Sequence, residues 1–300
     1  MSLETHQDHR HRASTRQGST RTDRAERERA SAWALATALL ALAAAVAGLL
    51  MDAVYAGEEA TAAMLRAYDA VTLLVAPGLA VAAARARRGS GRAQLVSAGL
   101  LAYLVYTYAY YLFGTGFNDL FLLHAAVVAA GVVALVLHVA SLDVPAFAAQ
   151  ARPRTRSRWA AVVLGLLAVA LGGMWAYFAV HNAVTGEVPA GSRLVESDTV
   201  VHLGMALDLV LLVPLYAASS VLLWWRSPWG YVLGAIAVIA GVLHQVSYMV
   251  AMPFQVAADV PGAVSYDPGE PVIVALYLLA GALLFVPVKV RAATMEESAR

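Results

Sequence analysis

Long apolar runs alternate with short polar breaks along nearly the whole chain, at about 31–52, 62–84, 94–113, 117–139, 159–180, 200–224, 229–250 and 271–289. Most runs hold about 18 to 24 residues, the length a helix rising 1.5 Å per residue needs to cross about 30 Å of hydrocarbon. The pattern predicts an all-α, polytopic membrane helix bundle of eight transmembrane helices.

The breaks differ in charge. Of the twenty-one Lys and Arg residues, all but Arg66 and Arg193 fall in every second break. These are Arg10 to Arg29, then Arg85 to Arg92, Arg152 to Arg158, Arg226, and finally Lys289, Arg291 and Arg300. The alternate breaks carry Asp52, Glu58, Glu59, Glu187, Glu196, Asp198, Asp259, Asp267 and Glu270. Cytoplasmic loops of membrane proteins are the arginine-rich ones, so this split places both termini in the cytoplasm of a bacterial inner membrane. Val54-Tyr55-Ala56 before Gly57 resembles a signal-peptide cleavage site. The apolar stretch ahead of it is longer than a signal core, so the first helix is expected to be retained.

Composition agrees, with 60% apolar and only 14% charged residues. A single lysine beside twenty arginines, with abundant alanine, reads as the bias of a GC-rich bacterial genome. The absence of cysteine excludes disulfides, thiolate catalysis and cysteine-held metal or iron–sulfur centres. Residues 1–30 are polar and aperiodic, too poor in apolar surface to offset their ordering entropy, and are expected to be a disordered cytoplasmic tail. Residues 140–158 form a basic cytoplasmic connector, and 291–300 a short cytoplasmic tail. Such loops fit lipid headgroups rather than nucleic acid, so the bilayer is the expected partner.

The two halves resemble each other at an offset of about 138 residues. Asp69 to Pro77 answers to Asp208 to Pro214, Arg88-Gly89 to Arg226 and Gly230, and Tyr106, Thr107 and Tyr110 to His244, Gln245 and Tyr248. Each half supplies four spans, so the copies share one orientation. Two parallel four-helix repeats, 31–139 and 159–290, are expected, with a ligand pocket between them.

Several polar groups lie inside the spans. Asp208 is eighteen residues before Arg226 and Asp69 sixteen before Arg85. These separations are about 27 and 24 Å of helix, which puts both acids in the outer part of the membrane. A carboxylate there is costly and must face the bundle interior with a partner. Two readings stand: an acid that carries a proton or binds a cation, and a carboxyl that fixes packing through Tyr or His. His124 and His244 lie at matching depths, which allows them to meet as ligands of one haem or metal, or to be buried structural histidines. Tyr103, Tyr106 and Tyr110 share one face of the third span, while Tyr108 and Tyr111 point elsewhere. That stripe is either an interfacial anchor or a polar seam toward the other half. Pro77 and Pro214 are expected to kink their helices at equivalent places. The glycines at 165, 172, 173, 234 and 241 are expected to allow close helix packing.

The run Tyr106 to Gly114 followed by Phe117 to Leu123, and the stretch Asp208 to Tyr231, resemble a widespread group of prokaryotic integral membrane proteins that has no assigned activity. The resemblance covers about residues 65–250 and implies a family, not a reaction. His124 stands where that group is expected to carry tyrosine.

The chain has no Walker A loop, no G-x-G-x-x-G after a strand and no H-E-x-x-H. No cofactor is required by the sequence and no metal site is assigned. The leading functional reading is a transporter or ligand-binding sensor for a small molecule or ion, with an outward-facing pocket between the repeats. Its candidate binding residues are Asp208, Asp69, His124, His244, Tyr106, Tyr110, Gln245 and Tyr248. The alternatives are a redox or haem-binding subunit using the two histidines, and a non-catalytic assembly partner. An enzyme is the less favoured class.

Overall fold

The computed structural model describes residues 4–51, 54–55, 57–151, 156–187, 189 and 193–285, with side chains from residue 24 onward. The described chain is helical, and no strand occurs among the described residues. The elements are α1 (Glu4–Leu50), α2 (Glu59–Arg87), α3 (Gly91–Phe113), α4 (Phe121–Ala140), α5 (Val144–Ala151) and α6 (Ser157–Thr185). They continue with α7 (Asp198–Leu207), a π-helical turn (Asp208–Leu212), α8 (Val213–Trp224), α9 (Pro228–Ala257) and α10 (Glu270–Phe285).

Seven described helices are long and apolar enough to cross a membrane: the Arg24–Leu50 part of α1, α2, α3, α4, α6, the continuous helix Asp198–Trp224, and α9. The last, α10, is apolar but only 16 residues long. The expected end of the eighth span, Lys289 and the tail 291–300 lie outside the described residues, as do Asp52, Arg152 and Arg154. The lateral surface is oily: Leu74, Leu122 and Val169 are 79%, 79% and 74% exposed. Water would penalise that surface and lipid would not. The helical apolar bundle is compatible with an integral, multi-pass membrane protein.

The breaks fall where turn chemistry stops the helices. Ser90 caps α3 by accepting from the Ala93 N–H at 3.3 Å, and Ser197 caps α7 by accepting from that of Val200. Gly186 ends α6 with φ +77°, a left-handed conformation that favours glycine.

Two features depart from expectation. The helix α1 extends back into the polar segment 1–30, with helical backbone from Glu4. Elongating an existing helix needs no new nucleus, a saving that composition does not reveal, and Arg24 pairs with Glu28 one turn on. The connector 140–158 also holds a short helix, α5, which packs on α9 through its buried Val144 and Ala148.

Packing is organised as two rings. In one, α1 and α3 each pack on both α2 and α4; in the other, α6 and α9 each pack on both α8 and α10. The rings meet where α9 lies against α2 and α3, with α7 touching α3. Small residues allow the close approach. The stripe Ala34, Ala38, Ala41 and Ala45 buries one face of α1, and Gly165, Gly172, Gly234 and Gly241 sit where a Cβ would press on a facing helix.

Candidate functional site

One group of buried polar side chains lies toward the end of the bundle that carries the acidic breaks. The two intramembrane acids are central to them. Asp69 and Asp208 each lie ten residues after the first residue of their helices, Glu59 and Asp198, about 15 Å along the helix axis in both. Asp69 is fully buried and Asp208 is 5% exposed.

Local backbone distinguishes them. Asp69 lies in regular helix, and Pro77 is absorbed within α2. Asp208 opens the π-helical turn, in which the Val213 N–H donates to the Asp208 carbonyl, five residues back rather than four. The cause is Pro214, which stands within the continuous helix Asp198–Trp224, just after the π-helical turn. Proline lacks an N–H and its ring collides with the carbonyl four residues earlier, and a widened turn relieves both.

Each carboxylate is held by two neutral donors. Asp208 Oδ1 accepts from Tyr106 Oη at 2.6 Å and Oδ2 from Trp175 Nε1 at 2.8 Å. Tyr106 Oη lies 3.2 Å from Tyr110 Oη, and its ring packs edge-on against His244 with centroids 4.7 Å apart. Among the described residues no ion pair includes Asp208. Asp69 Oδ2 accepts from Tyr55 Oη at 2.7 Å and Oδ1 from Tyr111 Oη at 3.0 Å. Tyr111 also lies 2.8 Å from the Leu65 carbonyl, so one hydroxyl faces both acceptors. Tyr55 belongs to the break after α1. Burial, then the adjacent Asp69, pushes its hydroxyl well above tyrosine's ordinary value, so it stays protonated and donating. Gly48 completes the pocket, because a Cβ there would overlap both Asp69 Oδ2 and Tyr55 Oη.

The tyrosines of α3 therefore divide by face. Tyr103, Tyr106 and Tyr110 form a seam toward the second ring, with Tyr103 Oη 2.6 Å from Ser247 Oγ of α9. Tyr108 and Tyr111 turn to the first ring, where Tyr108 donates to the Ala41 carbonyl at 3.0 Å.

Of the eight expected residues, Asp208, Tyr106, Tyr110 and His244 come together. Asp69 and His124 belong to a second cluster. The His124 ring is fully buried among Tyr55, Tyr108 and Tyr111, with neither nitrogen hydrogen-bonded. The two histidines thus have different ring neighbours instead of facing each other. Gln245 and Tyr248 brace loops: the Gln245 amide donates to Glu270, and Tyr248 Oη accepts from the Leu194 N–H at 3.2 Å.

Four contributors escaped the sequence reading. Tyr111 lies off the tyrosine stripe, on the face that points elsewhere, Tyr55 lies in a break, and Trp175 is a single polar donor inside an apolar run. Gln255 is the fourth. Its amide accepts from the Val195 N–H at 2.9 Å and donates to the Val195 and Ala60 carbonyls at 2.6 and 3.1 Å, fastening the loop before α7 to the start of α2.

At the same end lies a cavity of about 340 Å³, lined by Tyr55, Glu58, Thr61 and Asn118 from the first ring and Ser197 and Thr199 from the second. The volume falls within the range of small-molecule sites. Tyr55 links the cavity wall to Asp69.

No family model, curated protein or solved structure matches the chain. Function therefore rests on this geometry.

Proposed function

We propose that the chain is a multi-pass protein of the bacterial cytoplasmic membrane that handles a small molecule or ion, as a proton- or cation-linked transporter or a ligand-binding sensor. In this reading eight spans form two parallel four-helix repeats, both termini are cytoplasmic, and the acidic end faces outward. The 340 Å³ cavity is then an outward-facing pocket between the repeats. The matched order of packing in the two rings and the matching position of the two acids along their helices support the repeat.

The observation that carries the functional reading is Asp208. Among the described residues its buried carboxyl is held only by the neutral donors Tyr106 and Trp175, and it sits on a π-turn that costs its helix a regular hydrogen bond. A buried acid with no cation paired to it is expensive in a membrane unless it takes up a proton or a bound cation. π-Turns inside helices recur at functional sites.

The test compares Asp208→Asn with Asp208→Leu in proteoliposomes that hold a pH-sensitive dye and are subjected to a pH jump. Asparagine keeps the shape and an acceptor oxygen but has no titratable proton. Proton uptake lost in Asp208→Asn, with folded yield and Tm near wild type, is the expected result. Wild-type uptake in that variant, or damage confined to Asp208→Leu, makes the acid a packing group instead.

A further inference from the structure

A second cavity, of about 610 Å³, lies at the opposite, basic end of the bundle between α1 and α2. We propose that it binds the headgroup of an anionic phospholipid, with Arg27, Arg87 and Arg88 as its phosphate donors.

Charge is the first ground. Four arginines line the cavity, Arg24 and Arg27 from α1 and Arg87 and Arg88 from α2, against one acid, Glu28. Arg24 Nε lies 3.1 Å from Glu28 Oε1, which neutralises that pair. The guanidinium groups of Arg27, Arg87 and Arg88 have no hydrogen-bonding or ionic partner among the described residues, so three arginine side chains line one space whose only lining acid is Glu28. Each is a planar fork of N–H donors suited to two oxygens of one phosphate. Like charges that line one space repel, and an anion between them relieves the repulsion.

Position is the second ground, and it selects a lipid over a soluble anion. Along α1 the charged residues stop at Arg29 and the apolar run starts at Ala30, so the cavity lies at the boundary between water and hydrocarbon. Leu35 and Ala84 form its membrane-side wall, an apolar surface that a phosphate ion has no use for and an acyl–glycerol ester does. Trp33, 44% exposed, stands at the same level of α1, and tryptophan favours the headgroup layer. Basic pockets between helices at the cytoplasmic face have this character. Two different helices supply the donors, so a bound headgroup would also clamp the cytoplasmic ends of α1 and α2 together.

The experiment is native mass spectrometry of the full chain in detergent, titrated separately with dioleoyl-phosphatidylglycerol, dioleoyl-phosphatidylcholine and inorganic phosphate. One phosphatidylglycerol should bind roughly 10- to 100-fold more tightly than phosphatidylcholine, the selectivity expected from two or three arginines near a phosphate. Arg27→Gln with Arg88→Gln should remove most of that preference, whereas Arg92→Gln, at the same end but outside the cavity, should not. Because arginines also set topology, Arg27→Lys with Arg88→Lys provides a charge-preserving variant. It should lose part of the preference, since an ammonium cannot offer the fork. Equal affinity for the two lipids, or preference unchanged in the glutamine pair, overturns the site. Displacement of phosphatidylglycerol by an equal concentration of inorganic phosphate overturns the lipid assignment in favour of a soluble anion.

Discussion

Tyr106 and Asp208, 102 residues apart in sequence, share a 2.6 Å hydrogen bond that joins α3 of the first ring to the π-turn of the second. Tyr110 reaches the acid only through Tyr106, at 3.2 Å from its hydroxyl. Tyr106→Phe should therefore destabilise the protein by about 1–3 kcal/mol, because it strips a donor from a buried carboxyl oxygen. Tyr110→Phe should cost less. Thermal melts in one detergent compare them, and a larger loss for Tyr110→Phe would contradict the ordering.

The Asp69 cluster has a steric test. A methyl group at Gly48 would occupy space held by Tyr55 Oη and Asp69 Oδ2, so Gly48→Ala should part them and lower stability by about 1–3 kcal/mol. Tyr55→Phe breaks the same 2.7 Å bond by another route. The double variant should cost clearly less than the sum of the singles, since residues that share a contact are not additive. Strict additivity would show that the two changes act independently.

Glu270 makes stability depend on pH. It lies just ahead of the last apolar run, half-buried, and accepts from the Gln245 amide. Burial first, and then the nearby Asp267, lifts its carboxyl from 4.5 to about 7. The folded protein thus holds a proton that the unfolded chain releases, and stability from this group declines as pH rises from about 4.5 through about 7. Glu270→Gln should flatten that part of the Tm–pH curve while keeping an acceptor for Gln245. An unchanged slope in the variant would remove Glu270 from the account.

Orientation is open to chemical labelling, helped by the absence of native cysteine. Single cysteines at positions 58, 119 and 266, at the acidic end, should react with an impermeant thiol reagent in intact cells. Cysteines at 91 and 150, at the basic end, should react only after lysis. Labelling of position 150 in intact cells would invert the topology.

Apolar run length alone puts helices close to those observed, since a helix must be long and apolar enough to cross a bilayer. The seam of Tyr103, Tyr106 and Tyr110 was also legible, because helical periodicity fixes which residues share a face. Periodicity does not say which neighbour a face meets. Tyr111, on the other side of α3, was therefore passed over, although it is one of the two donors to Asp69. Tyr55 was hidden for another reason: its role depends on the chain folding back after α1, and a break carries no periodic signal. Trp175 and Gln255 are single polar contacts in apolar helices, detectable only once their partners are placed. The widened turn at Asp208 was missed because a proline in a helix announces a disturbance without specifying its form.

That turn also has a consequence for helical phase. Carrying one residue more than an α-turn, it offsets everything after it by one step, about 100° of rotation about the axis. The face that α8 presents to α6 and α9 is thus set by the insertion, while α7 above it keeps the phase of an uninterrupted helix. Asp208 stands at the junction of the two phases. The direction in which this carboxyl leaves the helix is therefore set by the widened turn itself, and not by the period of either segment it joins.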